Sequence, residues 1–435
     1  MVEGYSAVLI PQLEKEGDIA MDVSTSTWIA SISALPTPIG CVSGGWLMDL
    51  IGRRAIHIWC CLPCFVGWLA IALSSSSLTV ILIGRFVTGY CLGLLGAPTG
   101  VYCAETADPK FRGVTLALIS VAMAIGVCIA HILGAYIPWQ RTALVGCIFP
   151  IICILIMIPA PESPTFLAKV QKIDMAEEAF YWCRGKDTQS AIELKELLER
   201  QRELCNMPRK KMVDYLRQFQ KPEFYKPLLI MLLLFFTVQW SGAFAVTFYN
   251  VMIVKETIGD SINEYTSMIV MDSIRLVGSI VACYLLKKVG RRTLTLFSCC
   301  GTCVSLFVVS LFCYVAKYYP ELAQGYSLVP LTALVTYTAF LTMGLLPVPW
   351  ALMGEVFPLA NRGLGTGLVS MLNYAYIYSV VQTTPWLFTT IGAEGVFMLY
   401  GTTCLVCTVL LAIVLPETKN KPLYEIEDHF KGIKK

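Results

Sequence analysis

Two glutamates precede an Arg-Gly dipeptide by the same seven positions, each at the end of a long apolar run. Glu105 is followed in this way by Arg112, and Glu355, 250 residues further on, by Arg362. A carboxylate and a guanidinium group form charge-assisted hydrogen bonds, and the planar fork of arginine adds geometric specificity. The repeated spacing therefore predicts a duplicated ion-pairing device at the edges of apolar segments.

Two further motifs recur in the same order. "LIGRR", with Arg53, matches "KVGRR", with Arg292, and "PESP", with Glu162, matches "PETK", with Glu417. Charge pairs that form only when one side of the molecule is closed would bias an equilibrium between two conformations. We hypothesise such a latch, and keep open the alternative that the charges anchor loops and set the membrane topology.

Charged residues also occur inside apolar runs, where they are costly and commonly functional. Arg275 lies within the run 264–286, with Asp272 one turn earlier. Two interpretations stay open: Arg275 faces a cavity and contacts a substrate, or it pairs with Asp272 at i,i+3 inside the protein. His131 lies in another run, where a hydrogen-bonded histidine of a helical bundle is more common than a proton carrier.

The composition predicts a polytopic membrane protein. The 435 residues are 56% apolar and 14% charged, with a mean hydropathy of +0.66, against about 25% charged residues in soluble domains. The 18 cysteines lie mostly in apolar runs, where thiols pack as small hydrophobic groups. With only three histidines, no nucleophile–base set and no metal-ligand spacing, the sequence predicts neither an enzyme nor a metal or cofactor site.

The apolar runs predict an all-α membrane fold of two six-helix bundles, with a first helix that is incomplete at residues 2–13. The predicted divisions are an N-terminal bundle 1–160, a cytoplasmic helical linker 161–226, a C-terminal bundle 227–415 and a cytoplasmic tail 416–435. We expect a chain limited to these residues to be inactive or poorly inserted. The spans are predicted at 28–50, 56–73, 78–103, 114–137 and 142–160, then 227–253, 264–286, 294–316, 327–350, 364–389 and 394–415.

Basic loop residues fall on one side of this arrangement, which predicts that this side is cytoplasmic. Acids such as Glu14 and Asp22 fall on the opposite side. The basic residues are Arg53, Arg54, Lys110, Arg112, Lys287, Lys288, Arg291, Arg292, Arg362, Lys419 and Lys421.

The motifs resemble those of the sugar porters of the major facilitator superfamily, a group that includes facilitative glucose carriers and insect trehalose carriers. "GGWLMDLIGRR", "GRFVTGYCLGL" and "PESPTFL" resemble the signatures of the second, fourth and sixth helices. "QWSGAFAVTFY", "PVPWALMGEVFP" and "LPETK" resemble those of the seventh helix, the tenth helix and the C-terminal region. The resemblance covers essentially the whole chain and implies a sugar carrier with the major facilitator fold.

The resemblance also implies two sets of functional residues. The cytoplasmic gate would comprise Asp49, Arg53, Glu105, Arg112, Glu162, Arg292, Glu355, Arg362 and Glu417. The substrate site near mid-membrane would comprise Ser120, Gln239, Ser241, Phe244, Arg275, Trp350, Asn373 and Tyr374. Ser120, Phe244 and Arg275 stand where the family usually has amide side chains, so fewer amides are predicted to replace the water bound to a sugar.

The sequence therefore predicts a plasma-membrane carrier of a hexose or a trehalose-like sugar that works by alternating access. Proton-coupled relatives in this family place an acid in the first helix, which is incomplete here. The remaining N-terminal spans hold no acid at mid-membrane, so facilitated diffusion is favoured. The expected partners are the sugar and the lipid bilayer, with no nucleic acid; the oligomeric state is not predicted. Two alternatives stay open: a non-transporting nutrient sensor, favoured by the weakened amide set, and a carrier of an anionic non-sugar solute, favoured by Arg275.

Overall fold

The structure is a computed structural model. It describes residues 1–17, 19–75, 77–108, 112–206, 219–258, 263–323, 326, 328–357, 362–419, 426 and 430, and their side chains except those of 112–114, 117, 200, 203–206, 258 and 362. No strand occurs in these ranges. The predicted all-α fold is confirmed.

The N-terminal half is a set of helices that follows the apolar runs. Predicted span 28–50 is broken into two helices, and Pro36 and Pro38 stand at the break, where proline cannot donate a helical hydrogen bond. The helices are α1 (Ser6–Glu16), α2 (Val23–Ser31), α3 (Thr37–Ile51), α4 (Arg53–Ala72), α5 (Leu78–Thr106), α6 (Arg112–Tyr136), α7 (Trp139–Gly146) and α8 (Ile148–Met157).

The charged central segment is helical in its described part. It forms α9 (Pro164–Lys169), α10 (Ile173–Arg184) and α11 (Thr188–Asn206). The next helix begins at Pro222, inside the segment predicted as linker.

The C-terminal half repeats the pattern of long apolar helices. Its helices are α12 (Pro222–Trp240), α13 (Ala243–Phe248), α14 (Asn250–Ile258), α15 (Glu264–Lys288), α16 (Arg291–Tyr318), α17 (Pro320–Ala323), α18 (Leu328–Phe340), a π-helix (Leu341–Leu345), α19 (Pro347–Val356) and α20 (Arg362–Val414). Helix α20 is interrupted at Gly392, whose φ of 70° favours glycine. This break separates the last two predicted spans.

Nine helical stretches among the described residues are long and apolar enough to cross a membrane. The last stretch, Gly363–Val414, contains two of the predicted spans, and the broken α2–α3 segment is not among the nine. The α2–α3 segment is absent because its break leaves two helices of 9 and 15 residues, whereas the last stretch combines two spans because the helix continues across the kink at Gly392.

Helix α1 occupies the interior of the fold. Tyr5 and Leu9 are fully buried, and the Tyr5 hydroxyl donates to the Trp139 carbonyl at 2.9 Å. The helix contacts α6 in its own half and α13 and α14 in the other half. The short apolar run at residues 2–13 therefore contributes to the interface between the halves.

The two halves meet along a few helices. Helix α6 packs against α15, and α2 and α3 pack against α20. Helices α3 and α5 approach each other closely within the N-terminal half, because glycines leave room for backbone contact. A Cβ atom on Gly93 would lie 2.1 Å from the Thr37 carbonyl oxygen, and one on Gly44 would lie 2.1 Å from that of Leu94.

Candidate functional site

A cavity of about 320 Å³ lies between the two halves. This volume falls in the usual range for small-molecule sites, about 300–1,000 Å³. The cavity runs from Glu3 and Arg275 to Arg291 and Glu355. It therefore reaches the end of the molecule that carries the repeated arginine–glutamate motifs, which we call the motif end and define by Arg53, Glu105, Glu162, Arg291, Glu355 and Glu417.

Most residues predicted to bind substrate line this cavity. They are Ser120, Gln239, Phe244, Arg275, Trp350, Asn373 and Tyr374. Ser241 is not among the lining residues, although it was predicted with them. It lies at the break between α12 and α13, where its hydroxyl turns back to donate to the Val238 carbonyl at 2.8 Å.

One wall of the cavity combines amides with an aromatic ring. Gln239 Nε2 donates to Asn373 Oδ1 at 2.8 Å, while Gln239 Oε1 is buried and has no hydrogen-bond partner in the described part of the chain. Trp350 is 40% exposed, and its ring meets that of Phe235 edge-on at 5.3 Å. This wall offers a free acceptor for a hydroxyl and an open aromatic face for a sugar ring.

Arg275 also lines the cavity and is only 8% exposed. Its Nε is buried without a hydrogen-bond partner among the described residues, and its charge interacts with that of Glu3. The Asp272 carboxylate pairs with His131 across the interface between α15 and α6. Arg275 thus lines the cavity, and the described hydrogen-bond partner of Asp272 is His131.

The motif end of the N-terminal half centres on Arg53. Its Nε lies 3.1 Å from Glu105 Oε2, and its Nη1 lies 3.3 Å from Asp49 Oδ1. Glu105 also accepts a hydrogen bond from the Ser163 hydroxyl. Glu162 Oε1 accepts the backbone N–H groups of Arg53 and Arg54, each at 2.9 Å.

The C-terminal half repeats this arrangement. Arg291 Nη2 lies 2.8 Å from Glu355 Oε1, and the Thr418 hydroxyl donates to Glu355 Oε2 at 2.6 Å. Glu417 accepts the backbone N–H groups of Arg291 at 2.8 Å and Arg292 at 3.2 Å. Burial alone would raise the pKa of Glu417, but the N–H donors of Lys419, Arg291 and Arg292 lower it overall.

The structural counterpart of Arg53 is Arg291, the residue before Arg292, which was predicted for the gate. The first arginine of "KVGRR" begins α16 and turns its side chain toward Glu355. The Arg292 side chain is exposed and donates to the Ala412 carbonyl at 2.5 Å. The side chains of Arg112 and Arg362, which were also predicted for the gate, lie outside the described residues.

The glycine before each arginine pair makes room for a glutamate. A Cβ atom on Gly52 would lie 2.3 Å from Glu162 Oε2, and one on Gly290 would lie 2.2 Å from Glu417 Oε2. The two carboxylates can therefore approach the N-termini of α4 and α16, where they accept free N–H groups and oppose the positive end of the helix dipole.

Each described ion pair of the motif end joins residues of one half. The cavity reaches this end between the two clusters, past Lys287, Arg291 and Glu355. The clusters thus stabilise each bundle separately in this conformation. Their action as a latch between the bundles stays a prediction.

Sequence reasoning missed one buried arginine and the pairing of two buried polar residues. Arg85 on α5 is fully buried and donates to the Val2 carbonyl at 2.8 Å and to Ser33 Oγ at 2.9 Å; its position in an apolar run was the available signal. The pairing of His131 with Asp272 had no sequence signal, because 141 positions separate the two residues.

Three comparisons place the chain among known proteins. The family described as "Sugar (and other) transporter" matches residues 5–430. The facilitated trehalose transporter Tret1 of Apis mellifera ligustica is 32% identical over 415 residues, which are 95% of this chain and 81% of that protein. Trehalose transporter 1 of Drosophila melanogaster is 30% identical over 99% of this chain and 50% of that protein. The inward-open structure of the xylose transporter XylE from E. coli has a TM-score of 0.78 at 20% identity, covering 98% of this chain and 96% of that chain.

Proposed function

The chain belongs to the sugar (and other) transporter family, and from that premise we propose that it carries a neutral sugar across a membrane by alternating access. The observation that supports this most directly is the cavity between the halves, with its amide and aromatic wall. Trehalose and glucose are the substrates to test first, because relatives over most of the chain are named trehalose transporters.

The wall residues have complementary roles in this proposal. Gln239 Oε1 accepts a hydrogen bond from a sugar hydroxyl and so replaces a hydrogen bond to water. Trp350 contacts an apolar face of the sugar ring. Rotation of one half against the other then exposes this site to either side of the membrane.

Sugar movement is by facilitated diffusion in this proposal, and the motif end faces the cytoplasm of a plasma membrane. The support for this orientation is the excess of lysine and arginine in the loops at that end. The similarities lend no support to a non-transporting sensor or to a carrier of an anionic non-sugar solute.

The experiment is uptake of labelled trehalose and glucose by cells that express the chain with a completed first helix, compared with mock-transfected cells. We expect saturable uptake of at least one sugar. Trp350→Ala should raise KM about tenfold, a loss of about 1.4 kcal/mol of binding free energy. Trp386→Ala is the matched control, because Trp386 is 60% exposed and is not among the cavity residues. Absence of saturable uptake of either sugar, with the protein at the cell surface, would refute the proposed substrates.

A further inference from the structure

One buried histidine–aspartate pair connects the two halves near the cavity. His131 Nδ1 on α6 is hydrogen-bonded to Asp272 Oδ2 on α15. The histidine side chain is fully buried, and that of the aspartate is 1% exposed. Helices α6 and α15 pack against each other and belong to different halves, so this pair lies across an interface that must change in alternating access.

The pair has few other partners. His131 Nε2 and Asp272 Oδ1 are buried and have no hydrogen-bond partner in the described ranges. His131 Nε2 faces Gly4, since a Cβ atom on Gly4 would lie 3.0 Å from it. Each of the two side chains therefore has the other as its hydrogen-bond partner among the described residues.

The titratable groups around the pair come from several elements. Glu3 precedes Gly4 and interacts with Arg275, which lies one turn beyond Asp272. Cys128 on α6 interacts with both Asp272 and Arg275. Tyr337 on α18 also interacts with Arg275. Of these groups and the pair itself, histidine is the type whose charge ordinarily changes between pH 5 and 8.

We propose that His131 and Asp272 form a proton-sensitive bridge between the halves, and that protonation of His131 holds the conformation in which they are paired. The imidazole Nδ1–H donates to the carboxylate in either charge state, but the protonated ring makes the bond an ion pair, which is stronger. Separation of the halves would leave the Asp272 carboxylate buried without a partner, at a considerable cost. Because this ion pair forms only in the bridged conformation, protonation shifts the population toward that conformation.

This bridge makes sugar uptake pH-dependent, if reorientation of the halves carries the sugar as proposed above. Uptake at saturating sugar should be about fivefold slower at pH 5.5 than at pH 7.5, corresponding to about 1 kcal/mol. His131→Gln keeps a hydrogen-bond donor without the titration and should abolish this difference. Asp272→Asn is a second variant that should also abolish it.

The matched control is His57→Gln. His57 is a second buried histidine, but it bonds to the Arg53 carbonyl and to Thr99 within the N-terminal half. This variant should keep the pH response of the parent protein. A parent protein with equal uptake at both pH values, faster uptake at pH 5.5, or an unchanged response in His131→Gln would each overturn the bridge.

A readout without sugar separates this inference from the proposed function. Amide hydrogen exchange of α6 and α15 in lipid nanodiscs, corrected for the intrinsic pH dependence of exchange, should be slower at pH 5.5 than at pH 7.5 in the parent protein. The difference should vanish in His131→Gln. Slowed exchange without sugar uptake would support the bridge and refute the sugars, whereas uptake with equal exchange at both pH values would refute the bridge alone.

Discussion

The glutamates at the motif end have two kinds of partner. Glu105 and Glu355 bind an arginine side chain, whereas Glu162 and Glu417 accept backbone N–H groups at the start of α4 and α16. The second kind of contact needs the preceding glycine, because a Cβ atom would occupy the site of the carboxylate. Each "GRR" sequence thus places one arginine side chain and one helix N-terminus beside two different acids.

The two arginines of the C-terminal cluster should differ in their effect on stability. Arg291→Ala leaves Glu355, whose side chain is 25% exposed, without its guanidinium partner, and should lower the free energy of unfolding by about 1–3 kcal/mol. Arg292→Ala removes an exposed side chain and should cost less than about 0.5 kcal/mol. Thermal unfolding in one detergent compares the two variants. Equal losses would contradict the assignment of Arg291 as the structural counterpart of Arg53.

At the residue scale, sequence reasoning found the charged residues better than it found their partners. The seven-residue spacing associated Glu105 with Arg112, but the described partner of Glu105 is Arg53, from another helix. The arginine that begins α16 could not be chosen from "KVGRR" alone, because the direction of its side chain depends on where the helix starts. Contacts between helices are set by packing, and a single sequence does not show them.

At the scale of elements, the position of α5 depends on small residues. Gly89 and Gly93 place its backbone against α3 and the segment before it, where Cβ atoms would lie 1.9 Å from the Ser33 carbonyl oxygen and 2.1 Å from that of Thr37. The same helix carries the buried Arg85 and, in its last turn, Glu105. A shift of α5 would therefore disturb both charged sites.

Gly93→Ala should destabilise the protein by about 1–3 kcal/mol, because the added methyl group forces two backbones apart. Gly100→Ala is the control on the same helix, since its Cβ atom would meet nothing within 4 Å. It should leave the melting temperature unchanged or raise it slightly, as alanine favours helix. Thermal unfolding of both purified variants tests this, and a Gly93→Ala protein as stable as the parent would show that α3 and α5 are less closely packed than described.

Hydropathy predicted the positions of the helices more accurately than the positions of the breaks within them. The predicted span 294–316 lies within α16, Arg291–Tyr318, because a continuous apolar run has one way to satisfy its backbone in lipid. Hydropathy gave no signal for the break in the run 28–50, which the positions of Pro36 and Pro38 indicate instead. The run 2–13 was predicted to be helical and α1 covers Ser6–Glu16, but its burial between the halves depends on contacts with α6 and α14.

At the scale of the whole molecule, the halves share their charged motifs but contribute differently to the cavity. The C-terminal half provides Gln239, Arg275, Trp350 and Asn373, whereas lining residues of α6 include Ser120 and Val127. We therefore expect substitutions among the lining residues of the C-terminal half to alter sugar selectivity more than those in α6.

The direction in which the cavity opens predicts from which side of the membrane a water-soluble reagent can reach Cys283. This cysteine of α15 lines the cavity, and its thiol donates to the Ser279 carbonyl at 3.3 Å. Because the cavity reaches the motif end, a membrane-impermeant maleimide should modify Cys283 in inside-out vesicles at least tenfold faster than in right-side-out vesicles, and saturating sugar should slow the reaction. Mass spectrometry of the peptide that contains Cys283 distinguishes it from the other cysteines, and Cys283→Ser confirms the assignment.

Faster labelling in right-side-out vesicles would mean that the motif end faces outward, or that the described conformation is rare in the membrane. An epitope tag after Lys435, probed on intact cells, decides between these two explanations.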